Sequence, residues 1–278
     1  VVSINKDAFS QYNTYFSIYE KMLAIFQKEL AHPPAELNSP TTQSSGKRPK
    51  LPDEMLQDFI SRHPNDPVSI TFGGAAILAS DGSGSHVSQM KNQRLFCGYD
   101  EIYCLFAGSL HNLCAMNKQY GLTKAANEAM LVIEVYRTLR DRGPYPADQV
   151  VKELEGSFGF VIYDSRVGSV FAALGVDGGV KMYWGIGGDG HVVISDSVEV
   201  IKGGCGKSYA PFPAGFIFHS EGGLMSFEHP LQKVRAMERV DSEGAICGAN
   251  FRVDVYARIN SIPRRGSAAN WTEWDPRD

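Results

Sequence analysis

Strand-like runs lie on both sides of a central helical stretch in this sequence, and that order limits the folds open to it. Before the helices, residues 22–29, 68–78, 94–96 and 101–107 read as strands. The second is interrupted by Gly73-Gly74, and the last two are joined by a turn at Gly98-Tyr99-Asp100. Residues 52–62 take helical spacing, with Met55, Phe59 and Ile60 as the apolar face. Residues 110–119 and 127–142 are also helical, the latter with Met130, Leu131, Ile133, Val135 and Leu139 on one broad side. Asn127 is its N-cap; Arg140 and Arg142 sit near the negative end of its dipole, and Gly143-Pro144 stops it. After a further short helix at 146–154, strands resume at 158–164, 169–174, 183–186, 191–195, 215–219 and 224–228. Strands in runs around a central helix pair predict an α+β chain, sheet stacked on sheet with helices on the faces.

The segments between these elements read as loops. Residues 32–52 are rich in Pro, Ser and Thr, and residues 80–92 are polar and Gly-rich. Residues 1–21 lie outside the pattern. Phe9, Tyr12, Phe16 and Tyr19 have helical spacing, but we read the segment as an introduced or upstream extension before a single domain, residues 22–278, that ends in a tail. Of 278 residues 43% are hydrophobic, enough for a full core, and the net charge of −4 argues against nucleic acid as a partner. No apolar run is long enough to span a membrane, and no signal peptide is visible. Five cysteines without paired spacing predict reduced thiols in a cytoplasmic protein and no metal site. Nuclear or peripheral membrane association stays open.

Two glycine-rich stretches are weighed as phosphate loops and rejected. Gly185-Ile186-Gly187-Gly188-Asp189-Gly190 lacks a following Lys-Ser/Thr and reads as a hairpin turn. The segment ending Gly206-Lys207-Ser208 would need glycine at position 201, which is Ile. No cofactor is expected.

Certain blocks carry a resemblance. Residues 154–164 (LEGSFGFVIYD), the run through Lys181-Met182-Tyr183-Trp184, and Ile194-Ser195-Asp196-Ser197 resemble, in order, the amidotransferase domains of asparagine synthetases. Met22-Leu23-Ala24-Ile25-Phe26 resembles their Met-Cys-Gly-Ile-Phe start. Tyr120-Gly121-Leu122 and Leu139-Arg140-Asp141-Arg142 are similar to the YGL and LRDR motifs of the plant aluminium-induced protein family, with its stem-specific and auxin-induced relatives. That likeness extends from Met22 to Trp271 and includes the tail at 260–266. It implies a four-layer αββα sandwich of N-terminal-nucleophile hydrolase, class-II glutamine amidotransferase type. It also implies a stress- or hormone-responsive plant protein.

Mapped residue by residue, the resemblance implies a retired active site. The class-II nucleophile is a processed N-terminal Cys that uses its own amine for proton transfer; Leu23 stands there, without thiol or hydroxyl. In Ala107-Gly108-Ser109-Leu110-His111-Asn112, Ala107 replaces the oxyanion-hole Asn, a loss worth about 100- to 1,000-fold in rate. The substrate-carboxylate Arg is missing from residues 72–76, while Glu128 aligns with the acid that holds the glutamine amine. The expectation is therefore no catalytic residue and a residual ligand pocket at Gly108, Asn112 and Glu128.

Each residue has a plainer reading. Gly108 can be a tight turn, Glu128 a first-turn carboxylate favoured by the helix dipole, and Arg140 and Arg142 a solvated helix end or partners of Asp141 or Glu134. His111 with Cys104 and Cys114 could form a thiol–imidazole pair. Two functions follow as alternatives. One is a non-catalytic ligand sensor or protein-interaction module, a homodimer that takes a small amide or amino acid. The other is a divergent amidohydrolase or glutaminase with a relocated nucleophile.

Overall fold

A computed structural model describes residues 21–38, 48–62, 67–81, 93–141, 147–240, 244 and 246–258. The extension at 1–20, much of the two polar loops, the helix stop with Arg142, and the tail with Trp271 lie outside these residues.

Two six-stranded antiparallel sheets form the centre. The first runs β10(Tyr209–Pro211), β8(Tyr183–Ile186), β9(Val192–Ser195), β1(Met22–Phe26), β3(Ala76–Ser80) and β2(Val68–Phe72). The second runs β12(Gly223–Ser226), β11(Phe216–His219), β7(Ser169–Leu174), β6(Gly156–Asp164), β5(Ile102–Leu110) and β4(Gln93–Tyr99). The helices are α1(Lys28–Ala31), α2(Pro52–Arg62), α3(Leu113–Gln119), α4(Glu128–Asp141), α5(Ala147–Lys152) and α6(Val198–Cys205). Among the described residues no helix is long and apolar enough to cross a membrane.

The layering follows from the two-residue period of a strand. In β1, Met22, Ala24 and Phe26 join the core between the sheets, whereas Leu23 and Ile25 face α2 and α6. In β5, Leu105 and Ala107 point between the sheets, while Cys104 and Phe106 pack with residues of α4 and α5. Both faces of both sheets are covered, so the central strands read as unbroken apolar runs rather than alternating ones. The order is helix, sheet, sheet, helix, as the resemblance implied.

Local chemistry sets the outer layers. Pro52 opens α2, where no backbone N–H partner is needed, and Leu51 N–H donates to Glu54 Oε2 at 2.9 Å. Met55 and Phe59, one turn apart, bury against the first sheet. Gly204 in α6 lets that helix close on α2, since a Cβ there would lie 2.0 Å from Met55 Cε. On the far side, Asn127 Oδ1 accepts Met130 N–H at 2.9 Å and caps α4 as expected.

Several elements were not anticipated, the short helix α1 among them. Residues 198–205 form α6, and the short edge strand β10 follows it. A two-stranded ribbon, β13(Gln232–Val240) and β14(Ile246–Arg258), then packs Val234, Ala236, Phe251 and Val253 on the inter-sheet core. Phe251 lies 5.5 Å from Trp184 between ring centroids, and Arg239 stacks 4.1 Å over Tyr209. Elsewhere the boundaries move modestly. The long strand expected over 22–29 ends at Phe26, and the interrupted strand at 68–78 is the β2–β3 hairpin.

Candidate functional site

The position expected of the nucleophile is filled by apolar structure. Leu23 is wholly buried in the layer beneath α2 and α6, and its strand is paired on both sides, to Ala79 and to Ser195. The nitrogen that would be the free amine of an N-terminal residue is here a peptide nitrogen following Met22. One residue upstream, Met22 N–H donates to Asp196 Oδ1 at 3.0 Å and Met22 O accepts from Ser195 Oγ at 2.7 Å. Arg94 Nε donates to Asp196 Oδ2 at 2.9 Å, so a largely buried ion pair braces β4 against the turn after β9. Sequence reasoning gave Arg94 no role and quoted Asp196 only within the resembling block 194–197. Their partnership joins residues 102 positions apart, which no local pattern reveals.

The other expected positions are dispersed through the layers. Ala107 is buried between the sheets, on the opposite side of the first sheet from Leu23. Gly108 has φ +110, and a Cβ there would lie 2.0 Å from Ser157 O and 2.9 Å from Val180 Cγ2. Asn112 spends both ends of its amide on the backbone: Nδ2 donates to Glu153 O at 2.8 Å, and Oδ1 accepts Glu155 N–H at 3.2 Å. Glu128 is buried in the first turn of α4, in the helix layer beyond the second sheet. His111 is exposed while Cys104 is buried under α4, so these two are not a catalytic pair; Cys114 is exposed. Arg140 pairs with Asp141, one of its two expected partners, whereas Glu134 pairs with Arg137. No group of three or more His, Cys, Asp or Glu is placed to hold a metal among the described residues.

A cavity of about 440 Å³ opens elsewhere, between the C-terminal part of α4 and strands β7, β11 and β12. Phe171, Ile217, Leu139 and Met225 give it an apolar lining, and Arg140 lines it too. Inside it Ser169 Oγ lies 3.2 Å from His219 Nε2 and 3.3 Å from Ser220 Oγ. Burial pushes the Tyr136 phenol up to about 12, with Ser169 and Asp164 as its polar neighbours, so it stays protonated.

A serine beside a histidine suggests nucleophilic catalysis, but the hydrogen bonding runs the other way. Glu221 N–H donates to His219 Nδ1 at 3.2 Å. A backbone amide can only donate, so Nδ1 is the unprotonated nitrogen and neutral His219 carries its proton on Nε2. It therefore donates to Ser169 Oγ and cannot accept that hydroxyl's proton, the reverse of a hydrolase pair. Burial also lowers the imidazole below its ordinary range, against an opposing pull from Glu221, which favours this neutral donor form.

The family described as "Aluminium induced protein" matches residues 23–253. The stem-specific protein TSJT1 of Nicotiana tabacum is 36% identical over 51% of this chain and 92% of its own length. A probable glutamine-hydrolyzing asparagine synthetase of Dictyostelium discoideum is 38% identical over 27% of this chain, but that stretch is only 13% of the relative. Among solved structures, the glutamine phosphoribosylpyrophosphate amidotransferase of B. subtilis overlaps 74% of this chain and 49% of its own, at TM-score 0.47 and 14% identity. A glutamine aminotransferase class-II domain protein from Silicibacter pomeroyi overlaps 84% and 90%, at TM-score 0.38 and 10% identity.

Proposed function

Because this chain belongs to the aluminium-induced protein family, we propose that it is a non-catalytic protein on a glutamine amidotransferase-like scaffold. It serves plant stress or hormone responses as a ligand sensor or interaction module. One observation carries the reading: Leu23, at the nucleophile position, offers no attacking atom, and its backbone is locked in the middle of a sheet.

A relocated nucleophile finds little support. Cys104 and Cys205 are fully buried, and desolvation raises both thiols, which suppresses the reactive thiolate. Ser169 faces a histidine oriented as a donor. The residues expected to line a residual amino-acid pocket have structural work: Gly108 admits the β6 backbone, and Asn112 holds the chain between α5 and β6.

The test is release of glutamate and ammonia from glutamine by the full chain at high protein concentration. The expected result is no release above background. Turnover abolished by substituting one internal Cys, or by Ser169→Ala, would replace this reading with the divergent amidohydrolase.

A further inference from the structure

We propose that the cavity under the C-terminal end of α4 is a binding site for a neutral ring compound carrying a hydroxyl group. The site is separate from the nucleophile position, and none of Leu23, Ala107, Gly108, Asn112 or Glu128 lines it. Its volume of about 440 Å³ falls within the range of small-molecule sites.

The lining specifies the class. Phe171, Ile217, Leu139 and Met225 supply apolar contact for a ring. Ser169 and Tyr136, both buried, supply polar groups in the lining. Ser169 accepts a hydrogen bond from His219 Nε2 and meets Ser220 Oγ at 3.3 Å, which leaves its hydroxyl one further hydrogen bond to give or take. A ligand hydroxyl, itself donor and acceptor, complements those groups. An anion is disfavoured. Arg140 is already held by Asp164 and Asp141 at 2.9 and 2.8 Å, with Asp100 at 3.9 Å, and Glu221 adds a carboxylate to the lining.

The motif placement points the same way. Leu139 and Arg140, the first half of LRDR, both line the cavity, and Arg140 is anchored by Asp164, the last residue of the 154–164 block. Two sequence blocks that the retired active site leaves without a task therefore meet at this cavity.

The experiment titrates the full chain with 2-naphthol by fluorescence, beside naphthalene and 2-naphthoate. The expected result is saturable one-to-one binding of the naphthol, about tenfold tighter than naphthalene, the worth of one net hydrogen bond, and tighter than the naphthoate. Ser169→Ala should remove the preference over naphthalene. Gly222→Trp should abolish binding without unfolding the protein, because Gly222 is an exposed lining residue whose added Cβ would make only ordinary contact, 3.7 Å from His219 Cβ. Absent saturation, equal binding of naphthalene, preference for the naphthoate, or unchanged binding by the folded Gly222→Trp chain would each overturn the proposal. Any of these leaves the glutamine assay, which tests the retired active site, unaffected.

Discussion

Arg140 Nη1 lies 2.9 Å from Asp164 Oδ2, and the Asp164 side chain is wholly shielded from solvent. The contact fastens the end of α4 to the end of β6 and so fixes one side of the cavity. Asp164 does a second job, since its Oδ1 accepts Arg166 N–H at 3.0 Å in the turn to β7.

Asp164→Asn removes the buried carboxylate but leaves Arg140 with Asp141 and Asp100, so the expected loss is that of a charge-assisted hydrogen bond, about 2 kcal/mol of unfolding free energy in urea titration. A loss near that of an exposed surface pair would show that water reaches the site.

Leu23→Ala deletes a fully buried side chain between β1 and helices α2 and α6, and should cost about 2–5 kcal/mol by the same measurement. Leu23→Cys restores the thiol but not the free amine, because residue 23 remains inside a peptide chain. Its ammonia release from glutamine is expected to stay at background. Activity in that variant would mean the amine is dispensable here.

Gly108→Ala places a methyl group against the Ser157 carbonyl at a backbone angle hostile to side chains. A loss of at least about 2 kcal/mol is expected, seen as a lowered Tm in calorimetry. A variant of unchanged stability would show that the contact relaxes and would free Gly108 for a role beyond packing.

His219 gives the stability a pH dependence of known sign. Its folded pKa is depressed by burial, so below about pH 6.5 the unfolded chain takes up the proton first. The stabilising difference is full above that pH and is lost as the pH falls through the folded value. The groups facing the ring are Glu221, Ser169 and the edge of Phe171. Urea midpoints measured between pH 7.5 and 5 should decline less in His219→Gln than in the parent protein; parallel declines would assign the effect to other groups.

Much of the architecture is legible in the residues. Helix α2 was anticipated at its observed bounds, and so were strands β7 and β8. Strong apolar patterns and unambiguous turns mark all three. The Asn127 cap was legible because capping is a three-residue event. The C-terminal ribbon was not, because the burial of β13 alternates between part-covered and exposed positions, and its apolar residues have meaning only against Trp184 and the inter-sheet core. Helix α6 was obscured by Gly203 and Gly204, poor helix formers, of which Gly204 is required by the close approach of Met55.

The sequence by itself determined which atoms this chain lacks at the positions the resemblance singles out. The missing thiol at Leu23 and the missing amide at Ala107 are facts of composition at single positions, and no packing can supply an absent atom. Only the tertiary structure decided what stands instead. The cavity draws Tyr136, Ser169, His219 and Met225 from one helix and three strands. The direction of the Ser169–His219 hydrogen bond depends on the backbone amide of Glu221. Such features arise from distances between parts of the chain far apart in sequence, and those distances are set when the sheets and helices stack.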